Sequence, residues 1–99
     1  MNETHSHSII SEEEINPDNA YKYTTLLFLL RRNGLIFGDE KITLLETGCG
    51  DKSCPVFETI IRIEGVEGNR ELRIARKKEN ISRTDVYLSV KKQFPEVLN

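Results

Sequence analysis

The sequence predicts an α+β domain of two layers, in the order α-β-β-β-α, with a three-stranded antiparallel sheet and two helices packed on one of its faces. Three observations point there. Tyr23, Leu26, Leu27 and Leu30 recur at the spacing of one helix face, the segment from Val56 to Lys77 alternates as two strands around a glycine turn, and a capped helical pattern begins at Ser82. The chain has 99 residues, enough for one modest core.

The first helix is expected to open at Asn16-Pro17-Asp18. Asn16 caps, Pro17 lacks an N–H where none is needed, and Asp18 favours the positive end of the helix dipole. Arg31 and Arg32 suit the negative end, and Gly34 supplies the left-handed residue that stops the helix. Phe28 and Leu29 lie off the apolar stripe and widen it; core burial is the favoured expectation for both, and the alternative is that part of the helix faces a partner.

The first strand is expected at "KITLLETG", residues 41–48, rich in branched apolar residues. After a loop, "VFETIIRIE" and "RELRIARK" flank the turn "GVEGN". Joining them through Gly65–Gly68 sets Ile61 opposite Leu72 and Arg62 opposite Glu71, so one register matches apolar with apolar and charge with countercharge. The last helix has Ser82 as its cap with Asp85 three residues on, an Asp form of the capping box, and Ile81 and Val86 at the staple positions. Pro95 biases it to end by Phe94. Residues 1–15, polar and with the acidic run Glu12-Glu13-Glu14, are expected to be a disordered tail before a single domain at 16–99.

Charge is uneven along the chain. Residues 1–69 carry six Lys/Arg against twelve Asp/Glu, while residues 70–92 carry eight against three. The basic strip Arg70, Arg73, Arg76, Lys77, Lys78 and Arg83 is therefore a candidate docking surface for an acidic protein or a phosphate-bearing ligand. The competing expectation is that the two halves neutralise each other across the fold. No apolar run approaches the roughly 18 residues of a membrane span. The N-terminus lacks the pattern of a signal peptide, so a cytoplasmic setting is expected.

Both cysteines stand in the loop "TGCGDKSCP". Three roles compete for Cys49 and Cys54. They are small residues in a turn, a thiol pair that reports redox state, or two ligands of a zinc site. Zinc takes four soft or imidazole donors, which here means Cys49 and Cys54 with His5 and His7 folded back from the tail. The four-residue spacing of the cysteines is weaker than the two-residue knuckle. A lowered thiol pKa needs nearby positive charge, and Lys52 is opposed by Asp51. No glycine-rich phosphate loop, Ser/His/Asp set or paired histidines of a hydrolytic metal site occurs, so catalysis is not expected.

Two resemblances follow. "CGDKSCPVFETII", with its spaced cysteines, the second followed by proline and then Glu-Thr, resembles a small uncharacterised bacterial protein family, together with the basic stretch and helix cap "ARKKENISRTD". It implies no activity. The predicted order of elements is similar to that of the double-stranded RNA-binding domain, whose last helix grips phosphates with lysines at its start and whose first strand loop reaches a minor groove. At those positions this chain has "SRTDVY", with Arg83 the one basic residue, and a loop holding one Lys and one Asp. A pI near 5.7 also disfavours nucleic acid. The sequence thus leads to a small non-enzymatic cytosolic binding or adaptor domain, a monomer or weak homodimer without a bound cofactor. The alternatives are a thiol-redox or zinc-binding protein and an RNA-binding-like module.

Overall fold

The computed structural model describes residues 8–48 and 58–95. Four strands, β1 (Ser8–Glu14), β2 (Lys41–Gly48), β3 (Glu58–Gly65) and β4 (Gly68–Ile74), pair antiparallel in sequence order. Helix α1 (Thr24–Arg32) joins β1 to β2, and α2 (Arg83–Gln93) follows β4. The class is α+β, as expected.

The sheet is four-stranded, not three-stranded. The additional strand is β1, drawn from the segment expected to be tail, and it runs along β2 with Glu13 opposite Leu44. Its register slips between Ile9 and Ser11, an edge bulge. The segment "SIISEEE" carries no apolar alternation because its inward positions, Ser11 and Glu13, meet polar partners rather than the core.

The hairpin forms in the expected register, with Ile61 opposite Leu72 and Arg62 opposite Glu71. Val66 and Glu67 make its tip without positive φ, and Gly68 at φ +120 absorbs the twist. Ile42, Leu44, Ile61, Ile63, Leu72 and Ile74 share one core with Leu26, Leu29 and Leu30 of α1 and Val86 and Val90 of α2. Both helices therefore cover one face. On the other face, Arg62 pairs with Glu71 at 3.3 Å and Arg73 with Glu58 at 3.1 Å. Leu45 and Ile60, opposite each other in the register, are nevertheless buried on that side.

Helix α1 begins later than Asn16. Asn16 Oδ1 accepts from the N–H groups of Asp18 (2.8 Å) and Asn19 (3.1 Å), which closes a turn. A short 3-10 helix, Ala20–Tyr23, then leads into α1. Its end is as expected. Gly34 has φ +78, and Gly34 N–H and Leu35 N–H donate to Arg31 O and Leu30 O at 3.1 and 2.9 Å, a Schellman arrangement. Leu29 is buried but Phe28 is exposed, which corrects the expectation of a shared core role. The capping box of α2 forms with both bonds present.

Candidate functional site

The basic residues predicted as one strip are distributed over the fold. Strand parity puts Arg70 on the side of Leu72 and Ile74, and Arg73 on the opposite face. Arg70 Nη1 donates to Gly34 O at 3.3 Å, Arg73 joins the ion-pair lattice with Glu58 and Glu71, and Arg76 Nε lies 3.3 Å from Asp85. Lys77 lies on the surface beside Arg76. Arg83 stands exposed on the first turn of α2.

Lys78 is far more enclosed than Arg73 or Arg76, its side chain only 13% exposed. Its ammonium group donates to Glu13 Oε1 at 3.0 Å, and its backbone N–H donates to Glu46 Oε2 at 3.0 Å. Glu13 also accepts from the Tyr23 hydroxyl and from Asn19 Nδ2 at 3.0 Å, while Lys22 lies 3.8 Å away. Ser11 Oγ donates to the second carboxylate, Glu46, at 2.8 Å. The Tyr23 hydrogen bond, with Lys78 next in weight, holds the Glu13 carboxyl down to about 2. Burial, with donation to Glu13, pushes the Tyr23 hydroxyl up to about 12. Burial opposes the charge on Lys78, but Glu13, Tyr23 and Glu46 together outweigh it and raise its pKa. Glu13, Lys22, Tyr23 and Lys78 line a cleft of about 570 Å³ with Leu26 and Ile81. Every strong donor in it is already matched by an acceptor, so it acts as a clasp that ties β1 to the segment after β4.

A different cationic surface lies on α2. Val86 and Val90 face the core, which turns Arg83, Tyr87 and Lys91 outward at i, i+4 and i+8, with Thr84, Leu88 and Lys92 alongside. Tyr87 and Leu88 are each about half exposed. Among the described residues, Arg83, Lys91 and Lys92 make no ion pair. The single acid of the helix, Asp85, is turned aside to the cap: it accepts from Ser82 N–H at 2.9 Å and from Arg76, and the Ser82 bond, first among the causes, lowers its pKa. Lys91, Lys92, Tyr87 and Leu88 were absent from the predicted surface. Their signal is the complement of the Val86–Val90 stripe, which becomes informative once the inward side of the helix is known.

Cys49 and Cys54, with His5 and His7, lie outside the described residues. Among the described residues, no group of three or more His, Cys, Asp or Glu is placed to hold a metal ion. No helix among them is long and apolar enough to cross a membrane. Comparison with known proteins finds no matching family model, curated protein or solved structure.

Proposed function

We propose that the chain is a small non-enzymatic binding module that docks an acidic protein segment on the outward face of α2. One observation carries this reading. Arg73, Arg76 and Lys78 are neutralised by carboxylates within the fold, whereas Arg83, Lys91 and Lys92 project from one helix with no acid between them. Tyr87 and Leu88 add apolar surface, one in each of the two adjacent rows, so the fitting ligand carries carboxylates around one apolar side chain. Duplex RNA fits less well. The surface is confined to one helix in an acidic chain, and Asp85 occupies the helix start where a phosphate would rest.

The test is an amide chemical-shift titration of the whole chain with a Glu-Glu-Leu-Glu-Glu peptide. Saturable shifts along residues 83–92, weakening as salt rises from low to physiological, are expected. Salt-insensitive shifts, or shifts that avoid α2, overturn the assignment. Saturation of the same face by duplex RNA in preference to the peptide would transfer the partner to nucleic acid.

A further inference from the structure

A second surface, opposite in sign to α2, lies where the loop between α1 and β2 meets the tip of the β3–β4 hairpin. Between them is a groove of about 330 Å³. Leu35 and Ile63, both buried, form its floor. Phe37, 70% exposed, and Val66, fully exposed, stand at its lips. Asp39 and Glu67 complete the rim and make no ion pair or hydrogen bond among the described residues.

The groove is built to hold its shape. Glu40 turns back and accepts from the N–H groups of Phe37 and Gly38 at 2.9 and 2.8 Å, which locks the loop. Those hydrogen bonds, that from Gly38 foremost, lower the Glu40 pKa. Across the gap the hairpin approaches so closely that a Cβ on Gly65 would come within 2.9 Å of Glu40 Cγ, so glycine there lets the loops abut. Arg70 reaches from β4 to Gly34 O at 3.3 Å and ties the hairpin to the end of α1. Arg70 and Glu40, both lining the groove, interact electrostatically and offset each other's charge, so the two outer acids leave the rim net negative.

Large apolar side chains at both lips of a shaped groove are unusual for a free surface, and a valine at a hairpin tip contributes nothing to the core. We infer that this groove is a second docking site, for a protein segment presenting one large apolar side chain flanked by lysine or arginine. The apolar side chain enters between Phe37 and Val66, and the flanking cations meet Asp39 and Glu67. A rigid groove loses little entropy on binding. With an acid-seeking helix on one surface and a base-seeking groove on another, the chain has the makeup of an adaptor joining two partners of opposite charge. The groove stands independently of the α2 assignment.

The test uses the whole chain, isotope-labelled, with a Lys-Lys-Leu-Lys-Lys peptide as probe. Saturable amide shifts confined to residues 35–40 and 63–70 are expected. Asp39→Asn with Glu67→Gln, and separately Phe37→Ser with Val66→Ser, are each expected to weaken binding about tenfold, the scale of a central interface contact. If the apolar double variant does not fold, Val66→Ser alone, at the exposed tip, carries the expectation of weaker binding. Shifts that miss the groove at millimolar peptide, equal shifts with the Glu-Glu-Leu-Glu-Glu peptide, or indifference to these variants overturn the proposal. Concentration-dependent groove shifts in peptide-free protein would assign the site to a second copy of the chain, and likewise overturn it. Because the acidic probe reports on α2 and the basic one on the groove, failure of either site is seen separately.

Discussion

Gln93 on the last turn of α2 pairs with both backbone polar groups of Arg73 on β4: Nε2 donates to Arg73 O at 2.8 Å, and Arg73 N–H donates to Oε1 at 3.0 Å. The side-chain amide thus takes the place of a neighbouring strand at one point of the sheet edge. Backbone groups there would otherwise be open to pairing with another chain. At the opposite edge, β1 is protected differently, by a bulge and by the charges of Glu12 and Glu14. Replacing Gln93 by alanine is expected to destabilise the fold by about 1 kcal/mol, the net worth of such bonds. Urea denaturation measures the loss, and amide exchange at Arg73 is expected to rise with it. Unchanged exchange at Arg73 would show that the edge does not depend on Gln93.

The clasp around Glu13 makes an acid-sensitive contribution to stability. The carboxyl ordinarily titrates near 4.5 and is held at about 2 in the fold, so the unfolded chain binds its proton first. Its stabilisation is complete above pH 4.5 and is lost as pH falls toward 2. Glu13→Gln is expected to be less stable than the native chain at pH 7, with the gap narrowing by pH 3. Urea midpoints at the two pH values check this, and a constant gap would remove the carboxylate charge from the account.

Tyr23 titrates at the other end of the scale. With its hydroxyl raised from 10 to about 12, the contribution is intact below pH 10 and is lost as pH rises through about 12. Tyr23→Phe is expected to abolish that high-pH component and to bring the Glu13 carboxyl back toward its ordinary range, because its leading hydrogen bond is gone. Carboxyl titration by NMR reads the second effect directly.

Leu72 is fully buried between the hairpin and the helices. Leu72→Ala is expected to cost about 2–5 kcal/mol through lost transfer energy and a residual cavity. Ile60→Ala, on the opposite face beneath a lattice of exposed ion pairs, is expected to cost less, since side chains there can collapse toward the gap. A thermal-denaturation comparison orders the two, and an equal or larger loss at Ile60 would mean that the second face holds a comparably packed core.

Gly34 at φ +78 is the point where α1 reverses into the loop of the groove. Gly34→Ala is expected to cost about 1–2 kcal/mol through the left-handed conformation alone. It also strains the loop whose Phe37 forms a lip of the groove, so basic-peptide affinity is expected to fall with stability. Denaturation and the peptide titration, run on the same variant, check both.

The hairpin, the Gly34 stop and the Ser82–Asp85 box were readable from residue order because each is satisfied by neighbours within a few positions or by a single register. Turn geometry, capping bonds and alternation are local, and the residue types that make them have few substitutes. Periodicity placed the helices on the sheet, yet it could not separate Phe28 from Leu29, since adjacent residues at the margin of a stripe are distinguished only by what packs beside them. Strand β1 escaped notice for a related reason. Glu13 looks like a solvated acid until Tyr23, Asn19 and Lys78, up to 65 positions away, converge on it. Charge followed the same rule: six basic residues close in sequence diverge in space because strand parity and four internal carboxylate partners separate them. Local chemistry therefore sufficed for the order and limits of most elements. The fourth strand, the clasp and the two surfaces proposed for docking arose from long-range convergence, where a side chain's role depends on neighbours that no short stretch of chain contains.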